Sequence, residues 1–255
     1  MSTAVIVGAG SGLGYAMARR FGREGYRIAL VSRDPGRHAD VLRDLGALGV
    51  TAEAFAADVR DTEAMDRALD FVVERLGEID LVYYGPAPHG ISGEPIDKIT
   101  GADIEETMAL VRPAADVVRK VMPSMRERGT GVFLFTSAVT ALVPVPELGA
   151  LTVAAAASRN YAVTLNAALA PHGLYAGVLL IGGLIADSAI HRATPSAAPS
   201  SLLDPDRVAD AAWDLAARRR SAEALVMPGR QALALTPLLI NRLLRTRRHN
   251  ARPHR

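Results

Sequence analysis

The sequence predicts an α/β fold, a doubly wound parallel sheet in a single domain. Three observations carry that expectation. Strand-like and helix-like segments alternate from the third residue onward. The strand segments are short runs of continuously apolar residues, the pattern of strands covered on both faces. No internal repeat and no Pro/Gly/Ser linker divides the 255 residues, a length that suits one large α/β unit.

In order, Ala4–Val7 reads as a buried strand and Leu13–Glu24 as a helix that stops at Gly25. Arg27–Val31 is a second strand. Val41, Leu42, Leu45 and Leu48 mark a helix face closed by Gly49, and Thr51–Ala57 is a third strand. Met65, Leu69, Val72, Val73 and Leu76 recur at helical spacing, with Gly77 ending that helix. Ile79–Tyr83 and Val132–Phe135 are further strands, with one long helix from Ala102 to Arg126 expected between them. Thr152–Ala170 is helical and Ala176–Ile181 is a strand. Asp204 and Pro205 open a helix through Arg218, and Ala224–Met227 is the last strand. The β-α-β order requires right-handed crossovers, which wind helices onto both faces of the sheet. Thr194–Ser201, rich in Pro, Ser and Ala, follows a strand end on the ligand-binding edge and reads as a lid or as a plain loop.

Composition narrows the function classes. Hydrophobic residues make up 49% and charged residues 22%, which excludes a chain disordered throughout. No apolar run reaches the roughly 18 residues of a membrane span. The opening MSTAVIVGAG lacks a basic segment ahead of an apolar core, so a secretory signal is not expected. The absence of cysteine excludes disulfides, thiolate catalysis and cysteine–zinc sites, and fits the cytoplasmic location we expect. The net charge of +2 is unevenly spread: residues 242–255 hold six arginines and no acid, so 23 of the 29 basic residues face 27 acids elsewhere. We expect a domain over 1–240 and a basic tail over 241–255. No aromatic residue interleaves with these arginines, which argues against nucleic acid as a partner.

The first strand runs into Gly8-Ala9-Gly10-Ser11-Gly12-Leu13-Gly14, and a helix follows at once. Glycines permit a tight turn and close approach of a pyrophosphate, and the helix N-terminus offers free N–H groups to phosphate oxygens. Between strand one and helix one of a βαβ series this reads as a dinucleotide site. The second strand ends in Ser32 and Arg33. An acid there would bind ribose hydroxyls, whereas a guanidinium pairs with a 2′-phosphate, so NADP(H) is expected over NAD(H). Asp58 and Val59 end the third strand, where a carboxylate can meet the adenine amino group. Asp61 reads as the cap of the following helix.

With Gly8-x-x-x-Gly12-x-Gly14, Asp58-Val59, Phe135-Thr136-Ser137 and Leu169-Ala170-Pro171-His172-Gly173, the chain resembles the short-chain dehydrogenase/reductase family, with its Rossmann-type fold, from residue 3 to about 228. Gly182-Gly183 stands where that family usually has Pro-Gly. The resemblance implies cofactor contacts at Gly8, Gly10, Ser11, Gly12, Leu13, Gly14, Ser32, Arg33, Asp58, Val59, Gly85, Gly183 and Ser188. It also implies a homodimer or homotetramer built on the long helix and the alanine-rich helix after Ser137.

The same resemblance implies an Asn, a Ser, a Tyr and a Lys in the reaction centre. Ser137 matches the serine. The tyrosine position falls on Leu151, the lysine position on Ala155 and the asparagine position on Leu110. No Tyr or Lys lies between Ser137 and Asn160, and the chain has only two lysines, Lys98 and Lys120. Tyr161 lies on the same helix but is turned away by its spacing and is expected to pack. His89 and Tyr84, on the loop and strand end that flank the pocket in this family, are the candidate substitutes for the missing acid. No metal-ligand spacing is present, and Ser137 lacks the Gly-x-Ser-x-Gly elbow of a hydrolase. The expectation is an atypical NADP(H)-dependent oxidoreductase on a small organic substrate. A non-redox cyclase or isomerase, or a non-catalytic cofactor-binding protein, remain open alternatives on this fold.

Overall fold

The computed structural model describes residues 1–10, 12–86, 94–195, 197–229 and 233–234. Seven parallel strands form the sheet: β1 (Thr3–Val7), β2 (Arg27–Ser32), β3 (Ala52–Ala56), β4 (Ile79–Tyr84), β5 (Gly131–Ala138), β6 (Leu174–Ile181) and, after a small ribbon, β9 (Glu223–Val226). The ribbon pairs β7 (Leu184–Ile185) with β8 (Leu202–Leu203). A short β10 (Leu233–Ala234) adds antiparallel to β9, so the sheet is not wholly parallel as the sequence suggested. The strand order is β10-β9-β6-β5-β4-β1-β2-β3. The chain therefore winds outward in one direction from β1 and in the other from β4. The crevice beyond the carboxyl ends of these two neighbours is the position where open α/β sheets take ligands.

Alternation within each strand divides the core into two layers. Val5, Val7, Val82, Tyr84, Phe133 and Phe135 belong to one. Ala4, Ile6, Leu81, Tyr83, Val132 and Leu134 belong to the other. The first layer is covered by α3 (Thr62–Leu76), α5 (Pro113–Arg128) and α6 (Gly149–Leu169), and the second by α1 (Leu13–Arg23), α2 (Ala39–Ala47) and α8 (Pro205–Arg218). Helix starts follow their capping chemistry. The Asp61 carboxylate accepts the Ala64 N–H at 2.9 Å, and that of Asp204 accepts the Asp206 N–H at 2.9 Å. Arg20 ties α1 to α8 through Asp210 at 2.7 Å and stacks over Trp213.

The single helix expected over 102–126 is instead two, α4 (Gly101–Met108) and α5, with residues 109–112 between them. Pro113 supplies the reason. It has no N–H to continue the helix and is well placed as the first residue of a new one. The N–H of Ala114 bonds the Val111 carbonyl at 3.1 Å. The Leu110 carbonyl is thereby released from the helical ladder, and the Tyr84 hydroxyl donates to it at 2.8 Å. The loop after β6 folds back through the β7–β8 ribbon and brings α7 (Ala189–Arg192) over the glycine turn. A Cβ on Gly12 would lie 3.2 Å from the Ser188 Cα.

Candidate cofactor and reaction site

A cleft of about 1120 Å³ opens at the β1/β4 crevice. Its floor is the glycine turn. Gly8 has φ +84°, and a Cβ there would sit 2.7 Å from the Pro86 nitrogen. A Cβ on Gly14 would sit 2.8 Å from the Ala9 Cα. The two glycines thus let the β1 turn lie directly against the backbone after β4 and against itself. α1 begins at this turn with no side-chain cap and no acid in its first turn, which leaves its positive end to a ligand. Gly10, Gly12 and Leu13 line the cleft, whereas Ser11 lies outside the described residues.

At one end, Ser32, Arg33, Asp34 and His38 come together with Asp58, Val59 and Arg60. Arg60 forks onto the Asp58 carboxylate at 2.7 and 3.1 Å and adds its backbone N–H at 3.0 Å. These bonds, together with the more distant Arg33 charge, hold Asp58 down at about 2 against the cost of its partial burial. Asp58 is therefore an anion fixed by the Arg60 guanidinium. The Ser32 hydroxyl stands 2.7 Å from His38 Nε2. His38 was not singled out in the sequence, because one histidine in a polar turn carries no spacing signal.

At the other end the lining is Tyr83, Gly85, Pro86, Glu106, Ala109, Leu110, Thr136, Ser137 and Ala138, closed by Gly183, Leu184, Ile185, Ser188, Ile190 and Arg192. Ser137 projects toward α6, and its hydroxyl donates to the Ala155 carbonyl at 2.9 Å. Ser188 caps α7, accepting the His191 N–H at 3.0 Å. His89 lies outside the described residues. Tyr84 projects into the α5–α6 layer, packs near Phe135, and spends its hydroxyl on Leu110. Its neighbour Tyr83 lines the cleft instead, on the opposite face of β4, with its hydroxyl 2.8 Å from Thr136 Oγ1. Burial holds both phenols well above the ordinary range; the Thr136 bond opposes this at Tyr83, and the charges of Asp116 and Asp58 add to it at Tyr84. Tyr161 packs edge-on to Phe135 at 5.7 Å.

The geometry meets its relatives here. The short chain dehydrogenase family model matches residues 2–194. This chain belongs to the short-chain dehydrogenase family. It is 28% identical over 233 residues to an A-factor type gamma-butyrolactone 1′-reductase of Streptomyces virginiae, covering 86% of this chain and 89% of that one. It is 30% identical over 185 residues to a 1-deoxy-11-beta-hydroxypentalenate dehydrogenase of Streptomyces exfoliatus, covering 70% of this chain and 66% of that one. In fold it is similar to L-sorbose reductase from Gluconobacter frateurii, solved with NADPH and L-sorbose, with a TM-score of 0.76 at 24% identity, covering 89% of this chain and 95% of that one. Among the described residues, no helix is long and apolar enough to cross a membrane, and no group of three His, Cys, Asp or Glu could hold a metal ion.

Proposed function

We propose that this protein binds NADP(H) and acts as an atypical oxidoreductase on a small organic substrate, without the family's Tyr–Lys proton path. One observation carries the reading. A single cleft joins a glycine-turn phosphate cradle and a guanidinium-rich end to an end where Ser137 meets the Ala155 backbone. Gly8, Gly10, Gly12, Leu13, Gly14 and the start of α1 would hold the pyrophosphate, with Ser11, which lies outside the described residues, proposed from the sequence alone. Ser32 and Arg33 receive the 2′-phosphate, Asp58 and Val59 the adenine, and Gly85, Gly183 and Ser188 flank the nicotinamide.

The cofactor supplies a hydride when bound. What this chain's residues do around it differs from a ketone reductase. Leu151 and Ala155 take the tyrosine and lysine positions, and Leu110 that of the asparagine. Leucine and alanine move no proton, and a positioned general acid is worth roughly 10²- to 10⁴-fold. The site therefore suits a substrate that needs no protein acid, such as an activated C=C or C=N bond that takes its proton from water. His89 is the candidate residue donor. The Ser137 bond to Ala155 favours a second reading, cofactor binding without turnover.

Calorimetric titration with NADP⁺ and NAD⁺ tests the binding claim. Tighter NADP⁺ binding that is lost in Arg33→Ala is the expected result, and equal or tighter NAD⁺ binding overturns it. NADPH consumption against enones, imines and simple ketones tests the chemistry. Turnover of the first two classes alone supports the oxidoreductase reading, and binding with no turnover of any class supports the second. The assembly we propose, a dimer or tetramer through α5 and α6, is checked by light scattering at micromolar concentration.

A further inference from the structure

The turn after β2 carries a feature that the glycine cradle and Arg33 do not account for. His38 borders the cleft yet is only 4% exposed. Its Nε2 lies 2.7 Å from Ser32 Oγ, while Ser32 Oγ lies 3.3 Å from the Asp34 carbonyl oxygen. A serine has one proton to give. The carbonyl is acceptor only, so when the Ser32 O–H points to it, the short contact is His38 Nε2–H donating to Ser32 Oγ. This leaves the serine proton on a long, weak bond at the edge of the cleft, where a better acceptor can take it.

We propose that His38 is a specificity-determining residue: it donates to Ser32, so that Ser32 presents its O–H to an acceptor-only group, the 2′-phosphate of the cofactor's adenosine. This rests on the NADP(H) reading given above. A ribose hydroxyl can serve as donor or acceptor and gains little from a fixed donor. A phosphate dianion accepts only, so orientation of the serine discriminates in its favour.

The same arrangement couples binding to protonation. Burial lowers the His38 pKa, opposed by the charge of Asp34. Other charged groups are described on the neighbouring elements. Arg33 and the Asp58–Arg60 pair line the cleft. On α2, Asp40 pairs with Arg43 and Asp44 meets the Tyr15 hydroxyl, and on β3, Glu53 pairs with Arg75. A dianion arriving beside Ser32 favours the imidazolium, so binding takes up part of a proton on the acid side of neutrality. A phosphate that binds as its dianion releases protons below about pH 7, which has the opposite sign.

The test uses 2′,5′-ADP and ADP with the full chain, titrated calorimetrically from pH 5.5 to 7.5 in two buffers of different ionisation enthalpy. For 2′,5′-ADP, the wild type should take up more protons than His38→Gln, whose amide can still donate to Ser32 but cannot titrate. ADP should show no such difference. Ser32→Ala should weaken 2′,5′-ADP by about 10-fold, the range of a hydrogen bond to a charged group, and leave ADP unchanged. Equal proton uptake by wild type and His38→Gln overturns the coupling to protonation; unchanged 2′,5′-ADP affinity in His38→Leu, which cannot donate to Ser32, overturns the inference, as does an equal loss of both ligands in Ser32→Ala. Absence of 2′,5′-ADP binding to the wild type instead overturns the NADP(H) reading itself.

Discussion

The two ends of the cleft are built from different materials. The glycine-turn end is made of backbone: the turn that holds Gly8 and Gly14, the start of α1, and close approaches that no side chain could share. The far end depends on side chains, and there the Tyr84 hydroxyl is turned away from the cleft, that of Ser137 is spent on a neighbouring backbone carbonyl, and those of Tyr83 and Thr136 pair with each other. Backbone-built sites survive sequence drift because many side chains are compatible with one chain path. A proton-transfer site needs particular atoms at particular points, and two or three substitutions dismantle it without touching the fold. On the function proposed above, the contrast explains how a family's architecture and cofactor cradle can persist while its chemistry changes.

The largest effect should come from rebuilding the side-chain end. Leu151→Tyr with Ala155→Lys puts a tyrosine and a lysine at the two α6 positions that our proposal assigns to the proton path, where Ala155 already lies beside Ser137. The double variant should reduce a simple activated ketone at least about 10²-fold faster than the parent, and by more than the product of the two single effects, because an acid and the charge that tunes it act as a unit. Steady-state NADPH consumption measures it. Robust ketone turnover by the unmodified protein would break the comparison, since another group would then be donating the proton.

The reverse experiment attacks the backbone end. Gly8→Ala places a methyl 2.7 Å from the Pro86 nitrogen and forces a non-glycine residue to φ +84°. It should cost about 1–3 kcal/mol of stability and weaken NADP⁺ at least about 10-fold. Chemical denaturation and calorimetry separate the two losses. Unchanged binding in a folded variant would show that the cradle is not used.

These two regions were also unequally legible. Glycine spacing between a strand and a helix is a local signal, so the cradle and its elements could be read directly, as could the caps at Asp61 and Asp204. The Ser32–His38 contact could not, because it joins a strand end to a turn through one side chain at short range. The division of the long helix was missed because apolar residues continue through Ala109, Leu110 and Val111. Only Pro113 marks the break, and a proline inside a periodic run either kinks a helix or starts a new one. Tyr84 was the candidate and Tyr83 is its neighbour in the chain, and strand alternation sends the two to opposite faces. Which of them borders the cleft depends on the register of β4 against β1 and β5, something that one strand's sequence does not contain.

Tyr84→Phe sharpens that point. If Tyr84 holds the α4–α5 break and donates no catalytic proton, its loss leaves the Leu110 carbonyl unpaired and costs about 1–3 kcal/mol of stability. Any turnover the protein shows should keep its rate within about 2-fold, a change worth less than ~0.5 kcal/mol in the barrier. A large rate loss in a variant of normal stability would return Tyr84 to the role of acid.

The smallest expected effect lies at the guanidinium-rich end and appears only in acid. Asp58 titrates near 2 in the folded protein, below its ordinary 3.8, chiefly through the Arg60 hydrogen bonds. Its folded-state pKa is depressed, so its contribution to stability is complete above the ordinary value. That contribution is lost as pH falls through the window from 3.8 to about 2. Asp58→Asn should therefore flatten the fall of stability in this window and leave its slope near neutrality as it was. The Arg60 partner is well exposed, so solvent screens the pair and the change will be small. Urea denaturation at closely spaced pH values measures it. A variant whose pH dependence differs from the parent's mainly above pH 5 would mean that another group, with His38 the first to examine, governs this end of the cleft.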